Sequence, residues 1–264
     1  MTAALRFEHI EECMGTVFAF RGRSGRPDLE EVLKSACEKL HEADRIFSLY
    51  KPESPLSRLA RGETSVAELE PVVDVVWNLC ESWEKETGGY FSAFTLEHTF
   101  DPSGLVKTWA AQAAIDVLLS EGVTDFTLNA GGDIWLSDEL TEDVDWKIGI
   151  SKPITIASPD AGVLAVVNLK GTEYRSLATS GSAERGQHIW NPQNASLAGN
   201  ELVQVSVLAR DLVTADVWAT AAFAEGPNSL ARIASQEGVE ALFIYSDGRI
   251  DGTDGFAEVL RRSA

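Results

Sequence analysis

The sequence predicts an α+β fold, in a chain of 264 residues that is long enough for one large domain or two small ones. Three observations carry that reading. Helical periodicity dominates most of the first 122 residues, several strand-like segments follow one another after residue 124, and those segments are short and rich in Val, Ile and Leu. Helices and strands that segregate along the chain favour α+β over a doubly wound parallel sheet.

The elements follow in order. Residues 5–20 read as a strand pair around MGTVFAF. Asp28 precedes a helix, with Glu31 placed for a capping-box-like start. Leu29, Val32, Leu33, Ala36, Cys37, Leu40 and Ala43 give that helix one apolar face down to Ile46. FSLYKPESPLSRL carries prolines at 52 and 55 and reads as a loop entering a short helix. Pro71 opens a second long helix with a stripe of Val72, Val75, Val76, Leu79, Cys80 and Trp83, stopped at Gly88-Gly89. A third runs from about Leu105 to Glu121, with Gly122 as its stop. DFTLNAGGDIWL reads as strand, glycine turn, strand. WKIGIS, VLAVVNLKG, SLATSG, LVQVSVLA and ALFIYS are further strands. LVTADVWATAAFAEG is a nearly apolar helix, ASQEGV ends another, and the acidic run SDELTEDVD reads as a solvated loop.

Composition bounds the partners. There are 22 Lys and Arg against 41 Asp and Glu, a net charge of −19, which repels nucleic acid and anionic lipid. The bulk of that acidity serves solubility. No apolar run of about 18 residues spans a bilayer. The N-terminal stretch lacks the pattern of a signal peptide, so a cytoplasmic location is expected. Three cysteines (Cys13, Cys37 and Cys80) form no C-x-x-C pair and suit reduced thiols, with Cys37 and Cys80 expected in the core.

Certain polar residues need explaining. Asp216 and Thr220 stand four apart on the apolar helix, so both oxygens face one spot. A carboxylate with neutral oxygens suits a hard cation such as Mg²⁺. The same pair also fits a capping Asp216 and a Thr220 bonded to the preceding turn. NAGGDIW brings backbone within reach of a ligand or simply makes a hairpin turn. TSGSAERGQHIWNP offers hydroxyls, Arg185 and His188 to a phosphate, although a histidine such as His188 by itself fits a structural hydrogen-bonding role as well. DPSGLVK places Gly104 and Lys107 at a helix start, where free amides favour anions, but it lacks the glycine-rich loop of a P-loop.

Taken in order, MGTVFAF, FSLYKPESPLSRL, TGGYF, DPSGLVKTWAAQAAID, NAGGDIW, WKIGI, TSGSAERGQHIWNP and ADVWATAAFAEG resemble the ApbE family, the FAD:protein FMN transferases. The resemblance runs from about Met14 to Ile244. It implies a single α+β domain over residues 1–264, related to the T-fold with an antiparallel sheet and packed helices, binding of FAD with Mg²⁺, and transfer of FMN to a Ser or Thr of an acceptor protein with release of AMP. Some members hydrolyse FAD instead.

The resemblance assigns Asp216 and Thr220 as side-chain metal ligands and Gly104 as a backbone-carbonyl ligand. Lys107 becomes an electrostatic aid and His188 a base for the incoming hydroxyl. Met14 and Tyr50 flank the flavin. Gly131, Gly132 and Asp133 form the glycine turn near the cofactor, and Thr179, Ser180 and Gly181 the phosphate-side segment. Three positions depart from the family pattern by replacing a carboxylate: Ser92, Gln112 and Asn191. Thr108 also stands where the family has glycine. These changes motivate one alternative, a flavin-binding carrier that has lost transfer chemistry, and the FAD-hydrolysing members of the family motivate another, an FAD diphosphatase. The chain contains no D-g-x-x-S/T-G-A-T acceptor motif, so the acceptor is expected to be another protein.

Overall fold

The computed structural model describes residues 4–95, 99–153, 162–181, 189–198 and 201–263. The chain divides into two compact units, Met1–Gly131 and Gly132–Ala264.

The first unit opens on a hairpin of β1 (Leu5–Cys13) and β2 (Thr16–Ser24), joined by Met14 and Gly15, both with positive φ. Such a two-residue turn matches the right-handed twist of its strands. β1 alternates, with Phe7, His9, Glu11 and Cys13 the more covered set and Ile10 exposed. Four helices follow: α1 (Leu29–Phe47), α2 (Pro55–Ala60), α3 (Pro71–Glu86) and α4 (Ser103–Ser120). The predicted apolar face of α1 is buried, from Val32 to Phe47. It packs on α4, where Phe47 meets Trp109 edge to face at 5.9 Å between ring centroids. Then β3 (Asp125–Ala130) pairs antiparallel with β2, burying Phe18, Phe20, Phe126 and Leu128.

The expected capping box at Asp28 does not form. The Asp28 carboxylate instead takes two bonds from the Arg26 guanidinium, at 2.9 and 2.8 Å. A bidentate charged pair outcompetes a single bond to a helical amide. Pro71 occupies the first turn of α3, and Gly122 follows α4 with a φ of 77°, as the sequence predicts.

The second unit is an antiparallel sheet in the order β4 (Asp133–Leu136), β7 (Ser176–Gly181), β10 (Leu202–Ala209), β11 (Glu240–Tyr245) and β12 (Ile250–Gly252). A separate ribbon joins β5 (Lys147–Ser151) to β6 (Val163–Asn168), and a short one joins β8 (Trp190–Asn191) to β9 (Ser196–Leu197). The buried helix α5 (Leu212–Glu225) lies against β7 and β10. α6 (Ser229–Ile233) and α7 (Asp254–Ser263) complete the unit. β10 is buried along its whole length, because both its faces are covered. One apolar cluster includes Trp146, Ile148, Val167, Leu208, Leu242 and Phe256.

The acidic run 137–145 is less solvated than its composition predicts. Ser137 and Leu140 are buried, and Asp138 is clamped by Arg175 and Arg210 at 2.5 and 2.7 Å. Among the described residues no helix is long and apolar enough to cross a membrane.

Candidate functional site

Asp211 caps the N-terminus of α5. Its carboxylate accepts bonds from the Thr214 amide at 2.8 Å and the Thr214 hydroxyl at 2.7 Å. The cap role is therefore taken, and Asp216 stands beyond it, in the helix body and 6% exposed. Nearly every other side chain of α5 is apolar and buried. A carboxylate in such a helix carries a desolvation cost that a specific interaction must offset.

Thr220 follows one turn later. Its hydroxyl lies 3.2 Å from that of Ser180, a buried residue of β7. Asp216, Thr220 and Ser180 thus gather oxygen on the α5 side of the sheet. Thr179, the preceding residue, points the other way, because successive strand side chains alternate. It pairs in register with Ser206 and shares a hydroxyl contact of 2.8 Å with it. Ser206 in turn lies 3.4 Å from the Gln204 amide nitrogen. The sequence grouped Thr179 and Ser180 as one segment; the pleat divides them between two faces. Ser206 and Gln204 were missed, although two polar residues at alternate positions of LVQVSVLA mark one face.

Asp133 is buried at the start of β4, and its carboxylate accepts the Thr179 amide at 3.0 Å. It holds β7 in place through a charge-assisted bond. Gly181 lies close to β10, where an added Cβ would come within 2.6 Å of the Val203 carbonyl oxygen.

In the first unit Gly131 has a φ of 63°, and a Cβ there would meet the Thr16 hydroxyl at 2.3 Å. Its amide donates to the Val17 carbonyl at 2.9 Å. Thr16 and Val17 also line a cleft of about 430 Å³ with Glu12, Met14 and Asp44. Met14 and Gly131 are thereby brought near one another. Tyr50 does not line that cleft and is 97% exposed, so its ring has no core-packing role. A second cleft, of about 460 Å³ at the end of α3, is lined by Glu81, Glu84, Lys85 and Phe94 and touches none of the expected site residues.

Gly104 sits exposed in the first turn of α4, and Lys107 is half-buried one turn on. Gly132 has a φ of 104° and starts the second unit. His188 lies outside the described residues. The neutral replacements have local roles. Ser92 Oγ accepts the Phe94 amide at 3.2 Å, Asn191 Oδ1 accepts the Gln193 amide at 2.9 Å, and Gln112 donates to Asp116 at 2.9 Å.

The family model of the ApbE family matches residues 92–243. The chain belongs to the ApbE family. That range includes Gly104, Lys107, the Gly131–Asp133 turn, Thr179–Gly181, Asp216 and Thr220, and excludes Met14 and Tyr50.

Curated ApbE relatives named FAD:protein FMN transferase are similar over part of their length. The protein from Vibrio cholerae serotype O1 is 29% identical over 171 residues, 62% of this chain and 48% of its own. That from Escherichia coli K12 is 26% identical over 156 residues, 56% of this chain and 43% of its own. The Rhodobacter capsulatus relative is 34% identical over 159 residues, 55% of this chain and 28% of its own. The matches cover about half or less of those relatives' lengths. The fold is that of solved ApbE structures. The flavin transferase ApbE from Vibrio cholerae aligns over 98% of this chain and 100% of its own, with a TM-score of 0.80 at 19% identity. The ApbE protein from Thermotoga maritima aligns over 97% and 100%, with a TM-score of 0.78 at 18% identity.

Proposed function

We propose that this chain transfers FMN from FAD to a Ser or Thr hydroxyl of an acceptor protein, with Mg²⁺, releasing AMP. The observation that carries the reading is the buried Asp216 carboxylate, one turn from a Thr220 hydroxyl that already contacts Ser180. Hard oxygen donors of this kind fit Mg²⁺, so Asp216 and Thr220 would hold it. The family resemblance adds the Gly104 carbonyl as a further ligand. Bound there, the ion supplies charge stabilisation to a diphosphate under attack.

The remaining roles belong to the chain. Ser180 orients Thr220, and Asp133 keeps the Thr179 amide in place beside it in sequence. The acceptor oxygen forms a bond to the FMN phosphorus, the bond from that phosphorus to the bridging oxygen breaks, and the bridging oxygen leaves with AMP. His188 takes the acceptor proton, and Lys107 offsets charge on the phosphates. Met14 and Tyr50 contact the flavin, a role that suits a polarizable thioether and an uncovered phenol. Gly131, Gly132 and Gly181 allow backbone to come close. Residues 1–264 act as one functional domain. Three free thiols suit a reducing cytoplasm.

A second reading rests on Ser92, Gln112 and Asn191, which replace carboxylates with neutral groups: a flavin carrier without turnover. One experiment separates the readings. The chain is incubated with FAD, Mg²⁺ and an acceptor bearing a flavinylation motif, and the acceptor is weighed by mass spectrometry. A gain of one FMN phosphoester with matching AMP supports transfer. FMN and AMP without acceptor indicate hydrolysis. FAD held without turnover, and indifferent to Asp216→Ala, indicates the carrier.

A further inference from the structure

β1 carries His9, Glu11 and Cys13 at alternate positions, so all three share one face. α1 carries Cys37 and His41 four apart, also on one face. These two faces meet. His9 Nε2 lies 3.3 Å from Cys37 Sγ and 3.3 Å from Glu11 Oε2. The other Glu11 oxygen lies 2.8 Å from His41 Nε2, and His41 Nδ1 lies 3.6 Å from Cys13 Sγ. All five residues lie outside the matched range 92–243, and none has a part in the flavin chemistry above.

We propose that His9, Glu11 and Cys37 bind a thiophilic divalent metal ion of the zinc class, with His41 positioning the Glu11 carboxylate. The ligand atoms of the three lie within 4.8 Å of one another. Metal–ligand bonds of about 2.0–2.3 Å in a tetrahedron give ligand–ligand edges of about 3.3–3.8 Å. The two His9 distances already match such edges. Imidazole, thiolate and carboxylate together favour zinc over magnesium, which prefers an all-oxygen shell. One carboxylate and one thiolate neutralise the ion.

Cys37 is buried while His9 and Glu11 are half-buried, which leaves a coordination position open to water. Burial, with Glu11 beside it, pushes the Cys37 thiol up to about 12, so the ion displaces a proton when it binds. Such an ion would staple β1 to α1.

The test uses the full chain, reduced, stripped of metal, and held in excess Mg²⁺. Co²⁺ is titrated first and then Zn²⁺. The expected result is one bound Co²⁺ with a thiolate-to-metal charge-transfer band, displaced by one Zn²⁺. Cys37→Ser abolishes the band. Cys80→Ser and Asp216→Asn keep it, which separates this site from the proposed Mg²⁺ ligands. His41→Ala weakens affinity about 10–100-fold. His41→Gln, which keeps an N–H donor, restores most of that loss. Absence of the band in the unaltered protein overturns the proposal without any variant having to fold. So does unchanged zinc affinity in a Cys37→Ser protein whose circular dichroism is native.

Discussion

The hydroxyls of Ser180 and Thr220 lie 3.2 Å apart, and that contact ties β7 to the helix that carries Asp216. It is made on one face of a pleated strand, so it depends on register as much as on residue type. A slip of one residue would place Thr179 there and turn Ser180 away.

Asp216→Asn keeps the size of the side chain and removes its charge. FMN transfer should fall at least on the order of 10²-fold, with the Mg²⁺ requirement shifted to higher concentration. Acceptor mass gain and Mg²⁺ titration measure the two effects. Transfer at the unaltered rate would remove Asp216 from the metal role.

Asp211→Ala should behave differently. It deletes both bonds to Thr214 and should cost about 0.5–2 kcal/mol of stability. Urea unfolding reads that loss. Because Asp211 caps the helix and Asp216 does not, the folded fraction should keep its Mg²⁺ affinity.

Gly131→Ala adds a Cβ to a left-handed residue and drives it against the Thr16 hydroxyl. The expected cost is about 1–3 kcal/mol. Combining it with Thr16→Ala should recover the steric part and leave the conformational part. A double-mutant cycle that shows no coupling would contradict the close approach.

Asp138 gives a prediction in pH. Burial raises its pKa, but the Arg175 and Arg210 bonds outweigh that and hold it below the usual 3.8. The unfolded chain takes up the proton more readily, so the carboxylate stabilises the fold fully above the ordinary value. That contribution is lost as pH falls through the folded one. The side chain is 54% exposed, so Asp138→Asn should cost at most about 1 kcal/mol at neutral pH. The difference from wild type should close below about pH 4 and shrink in high salt. Thermal melts across pH and ionic strength check both.

Much of the fold was legible locally. The apolar stripe of α1, Pro71 at the start of α3, Gly122 after α4 and the Val-rich strands all appear where the pattern places them. α7 went unread: it is short, at the end of the chain, and buries only Phe256 and Val259. The capping box at Asp28 failed because Arg26, two residues earlier, offered its carboxylate two charged donors. Cys37 looked like an ordinary core cysteine on a helix stripe, since the histidine and glutamate that approach it come from another element.

Side-chain period, chain-breaking residues and the order of short motifs were set by the sequence alone, because each depends on neighbours a few positions apart. They were enough for the α+β class and the ApbE family. Tertiary structure alone decided that β2 pairs with β3 across some hundred residues and that β7 lies between β4 and β10. Those outcomes depend on competition among distant partners for burial and hydrogen bonds, and no local pattern encodes which partner wins.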